Sequence, residues 1–97
     1  MNSKKIKLTS FDEILEKEMR DPEFRKYFEL ETKKLEIAMK INELRKKKKI
    51  SQAKLAEKIG MKQSAIGRIE IGEQNLTIET LSKIASALNK KLEVKFV

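Results

Sequence analysis

ISQAKLAEKIGMKQSAIGRIEIG, residues 50–72, holds two short amphipathic segments on either side of a glycine. In the first, Ser51 offers an N-cap oxygen and Leu55, Ala56 and Ile59 share one side, so a helix is expected over Gln52–Ile59. Gly60 stands just past its end, where a left-handed φ costs glycine little. Met61 and Lys62 cross a tight turn into a second expected helix, Gln63–Glu70, whose Ile66 and Ile69 turn inward and which Gly72 ends. Its other side carries Gln63, Ser64, Gly67 and Arg68: an amide, a hydroxyl, a bare backbone and a guanidinium, with no acid among them.

Downstream, Thr77 caps a last helix through Leu81, Ile84, Ala85 and Leu88. The tail KLEVKFV alternates Leu92, Val94 and Phe96 against Glu93 and Lys95, the pattern of a strand with one apolar face. A lone strand needs a partner, so Leu92, Val94 and Phe96 are candidate dimerisation residues, pairing with a second copy or with an edge of another protein. Upstream, Asp21 as N-cap and Pro22 at the first helical position start a helix. Phe24, Tyr27, Phe28, Leu35, Ala38, Ile41 and Leu44 recur at threes and fours. That spacing predicts one long helix to about Lys48, or two that break softly near residues 30–36. Lys46–Lys49 suit its C-terminal dipole. Ser10 with Glu13 three residues on reads as a capping box, opening a short helix with Phe11, Ile14, Leu15 and Met19 on its stripe.

With 97 residues the chain suits one domain with an appended arm, and its core is modest enough that pairing with a second copy would help it. It has no cysteine and no histidine, which removes disulfides, the usual zinc sites and imidazole catalysis. Neither a membrane span nor a signal-peptide core is found, so a cytoplasmic protein is expected. The net charge of +8 is uneven: residues 1–36 hold nine basic and nine acidic side chains, whereas residues 37–97 hold fourteen basic and six acidic. Within the first part, residues 8–36 have a net charge of −3. The basic remainder favours a polyanion.

Two helices joined by a three-residue turn have the spacing of a helix-turn-helix, whose second helix enters the DNA major groove. Base-reading roles then fall on Gln63 towards adenine, Arg68 towards guanine and Ser64 towards either; a good bidentate pair gives roughly 1–3 kcal/mol of discrimination. Gly67 would let the helix approach the groove closely. Lys62 and Gln52 suit phosphate, the latter beside the free N–H groups of a helix start. Plainer readings stand beside these: Gln63 and Ser64 as caps of their helix, Arg68 in a pair with Glu73 or an i,i+4 contact, and Lys46–Lys49 as a solvated helix end.

ISQAKLAEKIGMKQSAIGRIEIG and LTIETLSKIASALNKKLEVKF resemble the Cro and phage-repressor, or xenobiotic-response-element, type of helix-turn-helix. With SFDEILEKEMRDPEFRKYFE in front, the chain looks like a HigA-type antitoxin of a bacterial toxin–antitoxin pair. The resemblance implies an all-α, lambda-repressor-like bundle with an N-terminal helical arm (residues 1–36), a helix-turn-helix domain (37–89) and a short C-terminal β-strand (90–97). It implies phosphate contacts at Gln52, Lys62 and Asn75, base reading at Gln63, Ser64 and Arg68, and a structural ion pair between Arg45 and Glu70. Read without it, Arg45 and Glu70 look like ordinary surface charges. This chain departs from the family at Lys54, where an acid usually completes a capping box, and at Ile71, where a polar or basic residue is common.

The implied partners are double-stranded operator DNA and a small basic toxin, RelE-like and of HigB type, that the antitoxin neutralises while repressing its own operon. Phe11, Leu15, Phe24, Tyr27 and Phe28 of the acidic arm are the candidate toxin-binding residues; an arm folded back on its own core is the plainer alternative. A bacterial cytoplasmic homodimer, at the nucleoid when bound to DNA, is expected, with no cofactor, metal or membrane. A stand-alone Cro-type regulator and an interaction scaffold that never meets DNA remain as alternatives. No Gly-rich phosphate loop or clustered catalytic acids point to an enzyme.

Overall fold

Five helices make up the computed structural model, which describes residues 2–97, with side chains from Ser10 onward. They are α1 (Asn2–Glu18), α2 (Pro22–Lys47), α3 (Gln52–Ile59), α4 (Gln63–Glu70) and α5 (Ile78–Ala87). The chain divides into two units, Met1–Thr32 and Lys33–Val97.

In the first unit, α1 already runs through Ser10, so the expected capping box at Ser10 and Glu13 is not a helix start. The S-x-x-E pattern marks an N-terminus only where the chain before it leaves the helix, and residues 2–9 contain no Gly or Pro to make it leave. Asp21 does cap: its Oδ1 accepts from the Glu23 N–H at 3.0 Å, and Pro22 takes the first position of α2. Phe24 lies with ring centroids 6.4 Å from Tyr27 and 6.1 Å from Phe28.

The core of the second unit is built from Ile41, Leu55, Ala56, Ile66, Ile69, Ile84 and Leu88, one or two residues from each of α2 to α5 and the end of α5. Ile37, Leu44, Ile59, Met61 and Leu81 pack against it. Burying each large aliphatic contributes about 1.5–3 kcal/mol, which is what holds helices of only eight residues that would not form alone. Ala56 is 2% exposed, and its small side chain lets α3 and α4 approach.

One device closes every helix of this unit. A left-handed residue follows the helix, and two backbone N–H groups turn back onto its last carbonyls, the Schellman arrangement. After α3 the Gly60 N–H donates to Glu57 O and the Met61 N–H to Ala56 O, with Gly60 at φ 70°. After α4 the Gly72 and Glu73 N–H groups donate to Ile69 O and Arg68 O. Lys49 and Asn89 fill the same place after α2 and α5, at φ 59° and 57°. Ser51 and Thr77 cap the starts of α3 and α5 by accepting from the Lys54 and Thr80 N–H groups.

The expected C-terminal strand is absent: no strand occurs among the described residues, and residues 90–97 take no regular conformation. Three alternating apolar residues give an extended segment one apolar face, but a strand also needs a row of backbone partners, and nothing in the second unit supplies one. Leu92 is half-buried, whereas Val94 and Phe96 are exposed. The architecture is therefore all-α.

Candidate nucleic-acid interface

Helix α4 is fixed from beneath by Ile66 and Ile69, which are 0% and 1% exposed. With those two inward, the helical period turns Gln63, Ser64 and Arg68 to solvent, and all three are exposed. None of the three side chains makes a hydrogen bond or ion pair among the described residues. Capping does not occupy Gln63 or Ser64: the N-cap of α4 is Lys62, and no side chain makes a cap bond there. Arg68 does not pair with Glu73; the link between those residues runs through the backbone, Glu73 N–H to Arg68 O at 3.0 Å. Lys62, Ser64 and Arg68 line one shallow depression with Met61 and Ala65. A cation, a hydroxyl and a planar five-donor fork are thus presented together and unspent.

The expected phosphate-contact residues are placed less uniformly. Lys62 is exposed at the entrance to α4. Asn75, in the loop after α4, accepts from Lys34 Nζ at 3.5 Å. Gln52, at the start of α3, is half-buried and donates from Nε2 to Glu70 Oε1 at 3.1 Å.

Glu70 is the centre of a polar cluster beneath this surface. Arg45 grips it with two prongs, Nε to Oε2 at 2.7 Å and Nη2 to Oε1 at 3.1 Å, while Nη1 donates to Ile50 O at 2.7 Å. Asn42 Nδ2 adds a bond to Oε1 at 2.8 Å. Side-chain exposures of 11% for Arg45 and 2% for Glu70 make this a buried pair, not the surface charges that spacing alone suggests. Burial by itself would raise the Glu70 carboxyl, but the bonds from Arg45, Asn42 and Gln52, with the Arg45 charge, hold it below the ordinary carboxylate range. The same bond, donated to Glu70, raises the Arg45 guanidinium further, against the effect of burial. No buried side-chain polar atom among the described residues lacks a partner. Asn42 carries one signal in the sequence: it lies one turn before Arg45 on α2, hence on the same side.

Of the arm residues, Phe11 and Tyr27 are each 61% exposed, Phe28 is also exposed, and Leu15 and Phe24 are half-buried. These lie in the first unit, apart from α4 in sequence. No helix among the described residues is long and apolar enough to cross a membrane, and none of their acids group as a metal site.

A helix held by its apolar side, following a Gly-closed turn and presenting unpaired polar groups outward, defines a DNA-binding helix-turn-helix regulator. Comparison with known proteins agrees. The family model described as helix-turn-helix matches residues 41–95, more than half of the chain, and the chain belongs to that family. Among solved structures it is similar to the restriction-modification controller protein C.AhdI from Aeromonas hydrophila. The two share 30% identity over 63% of this chain and 88% of that one, with a TM-score of 0.61. No curated protein matches. The kinship is with regulators of this type and not specifically with HigA-type antitoxins, since the family match leaves residues 1–40 outside it. The chain is accordingly a sequence-specific DNA-binding regulator of transcription.

Proposed function

We propose that this protein is a stand-alone transcriptional repressor that binds an operator as a homodimer. Gln63, Ser64 and Arg68 read base edges, while Gln52, Lys62 and Asn75 contact phosphates. The observation that carries this reading is the outward face of α4, where Arg68 and both polar neighbours are exposed and unpaired above a fully buried Ile66. Two copies would set two such helices against successive half-sites, since one eight-residue helix reads only a few base pairs. The C.AhdI protein's description as a controller supports a regulatory role. A site at the bacterial nucleoid follows from the same reading.

The test is a titration of wild type, Arg68→Ala and Lys62→Ala against a duplex enriched from a random pool and against a scrambled duplex. Arg68→Ala should lose discrimination by about 1–3 kcal/mol, while Lys62→Ala should weaken both duplexes alike and lower the salt slope by about one. Unchanged discrimination without Arg68 would remove the base-reading role.

A second reading adds a small basic, RelE-like toxin of HigB type as a partner of the arm, making the protein an antitoxin. It is favoured by the exposure of Phe11, Tyr27 and Phe28 within a segment whose residues 8–36 have a net charge of −3. Co-expression with the product of the adjacent gene, followed by purification of the chain with and without residues 1–36, decides it. A partner retained equally by both forms removes the arm from the binding.

A further inference from the structure

Glu70 Oε1 has three donors, one from each of Asn42, Arg45 and Gln52, at 2.8, 3.1 and 3.1 Å. Only Arg45 also holds Oε2, through Nε at 2.7 Å. The carboxylate is therefore hinged at one oxygen and steered at the other. A carboxylate accepts only, so Gln52 must turn its nitrogen towards Glu70. Its Oε1 then lies on the α4 side, 3.8 Å from where a side chain on Gly67 would begin. The orientation of this amide, and hence the aim of its remaining N–H and oxygen, is set by where Glu70 Oε1 sits. Asn42 makes the shortest of the three bonds to that oxygen, from a different helix.

We infer that Asn42 is a positioning residue for DNA binding: it fixes Glu70, and through Glu70 the amide of Gln52, so that Gln52 meets the DNA backbone ready-oriented. This rests on the assignment of Gln52 to a phosphate. Asn42 is half-buried on α2 and needs no DNA contact of its own for the effect. A group pre-set in its bound orientation loses less freedom on binding, so removing Asn42 weakens binding at a distance.

The experiment is a double-mutant cycle in the full chain with Asn42→Leu, Gln52→Ala and the double variant. Affinity is measured for the enriched duplex and a scrambled one, and scored per folded molecule from melting curves; Asn42→Ala replaces Asn42→Leu if the latter does not fold. Gln52→Ala should weaken both duplexes by about three- to tenfold, Asn42→Leu by about threefold, and the double variant no more than Gln52→Ala alone. A merely structural Asn42 would leave affinity per folded molecule unchanged. Either that result or losses that multiply in the double variant overturns the inference while leaving Gln52 on the phosphate. Wild-type affinity in Gln52→Ala instead overturns the phosphate assignment, and the inference falls with it.

Discussion

The Arg45 guanidinium and the Glu70 carboxylate form a two-pronged ion pair, 2.7 Å at its shorter contact, that ties α2 to the last residue of α4. A pair this buried is better evidence of placement than of net stability, because desolvating both charges offsets much of their attraction. Breaking it from one side is another matter. Glu70→Ala leaves the guanidinium buried beside Asn42 and Gln52, which offer it no charge. Destabilisation of about 3–5 kcal/mol is expected in urea melts. Replacing both partners, Arg45→Met with Glu70→Leu, should recover a large share of that loss. If the double replacement is as unstable as Glu70→Ala, the cost lies in something other than a stranded charge.

Acid should act through the same carboxyl. Its folded value lies below the ordinary 4.5, so the unfolded chain takes up the proton more readily than the folded one. The stability it contributes is complete above the unfolded value and drains away as pH falls through the folded one. Melting temperature should therefore drop on acidification below about pH 5. In Glu70→Gln, already less stable, that slope should be shallower. Equal slopes in the two proteins would assign acid sensitivity to other groups.

How much of this was legible in sequence depends on how local each signal is. Ser51, Gly60, Gly72 and Thr77 mark their helix ends by near-neighbour chemistry, and α3 and α4 fall where those residues put them. Exposure of Gln63, Ser64 and Arg68 also follows from period alone once Ile66 and Ile69 face the core. Ser10 misled because a local motif was read without the absence of any helix breaker before it. Leu92, Val94 and Phe96 misled because alternation describes a face, whereas a strand is a relation to another strand. The Glu70 cluster draws Asn42, Arg45 and Gln52 across up to 28 positions, and no local pattern can place an amide against a carboxylate that far away. Only family resemblance brought out Arg45 and Glu70, and Asn42 was missed.

Gly67 separates stability from binding. A Cβ there would meet only Gln52 Oε1, at an ordinary 3.8 Å, so alanine fits. Gly67→Ala should stabilise the fold by about 1 kcal/mol through helix propensity, raising the melting temperature by roughly 4–8 °C. If α4 lies in the groove as proposed, the same methyl should weaken binding to the enriched duplex. A variant that is more stable and binds equally well would mean that DNA never approaches Gly67.

Lys49 offers the converse case, a residue whose backbone is costly where glycine's would not be. It ends α2 at φ 59°, in the position that Gly60 holds after α3, with its own N–H donating to Lys46 O and the Ile50 N–H to Arg45 O. A side chain in that region costs about 1–2 kcal/mol, partly offset by the greater freedom glycine has when unfolded. Lys49→Gly should therefore stabilise the protein by about 0.5–1 kcal/mol. Keeping a lysine there, beside Lys46–Lys48, makes sense if its charge serves DNA binding, and Lys49→Gly should then also lower the salt slope for both enriched and scrambled duplexes. A more stable variant with an unchanged salt slope would leave the Lys46–Lys49 run as a solvated helix end, completing the dipole of α2 and nothing more.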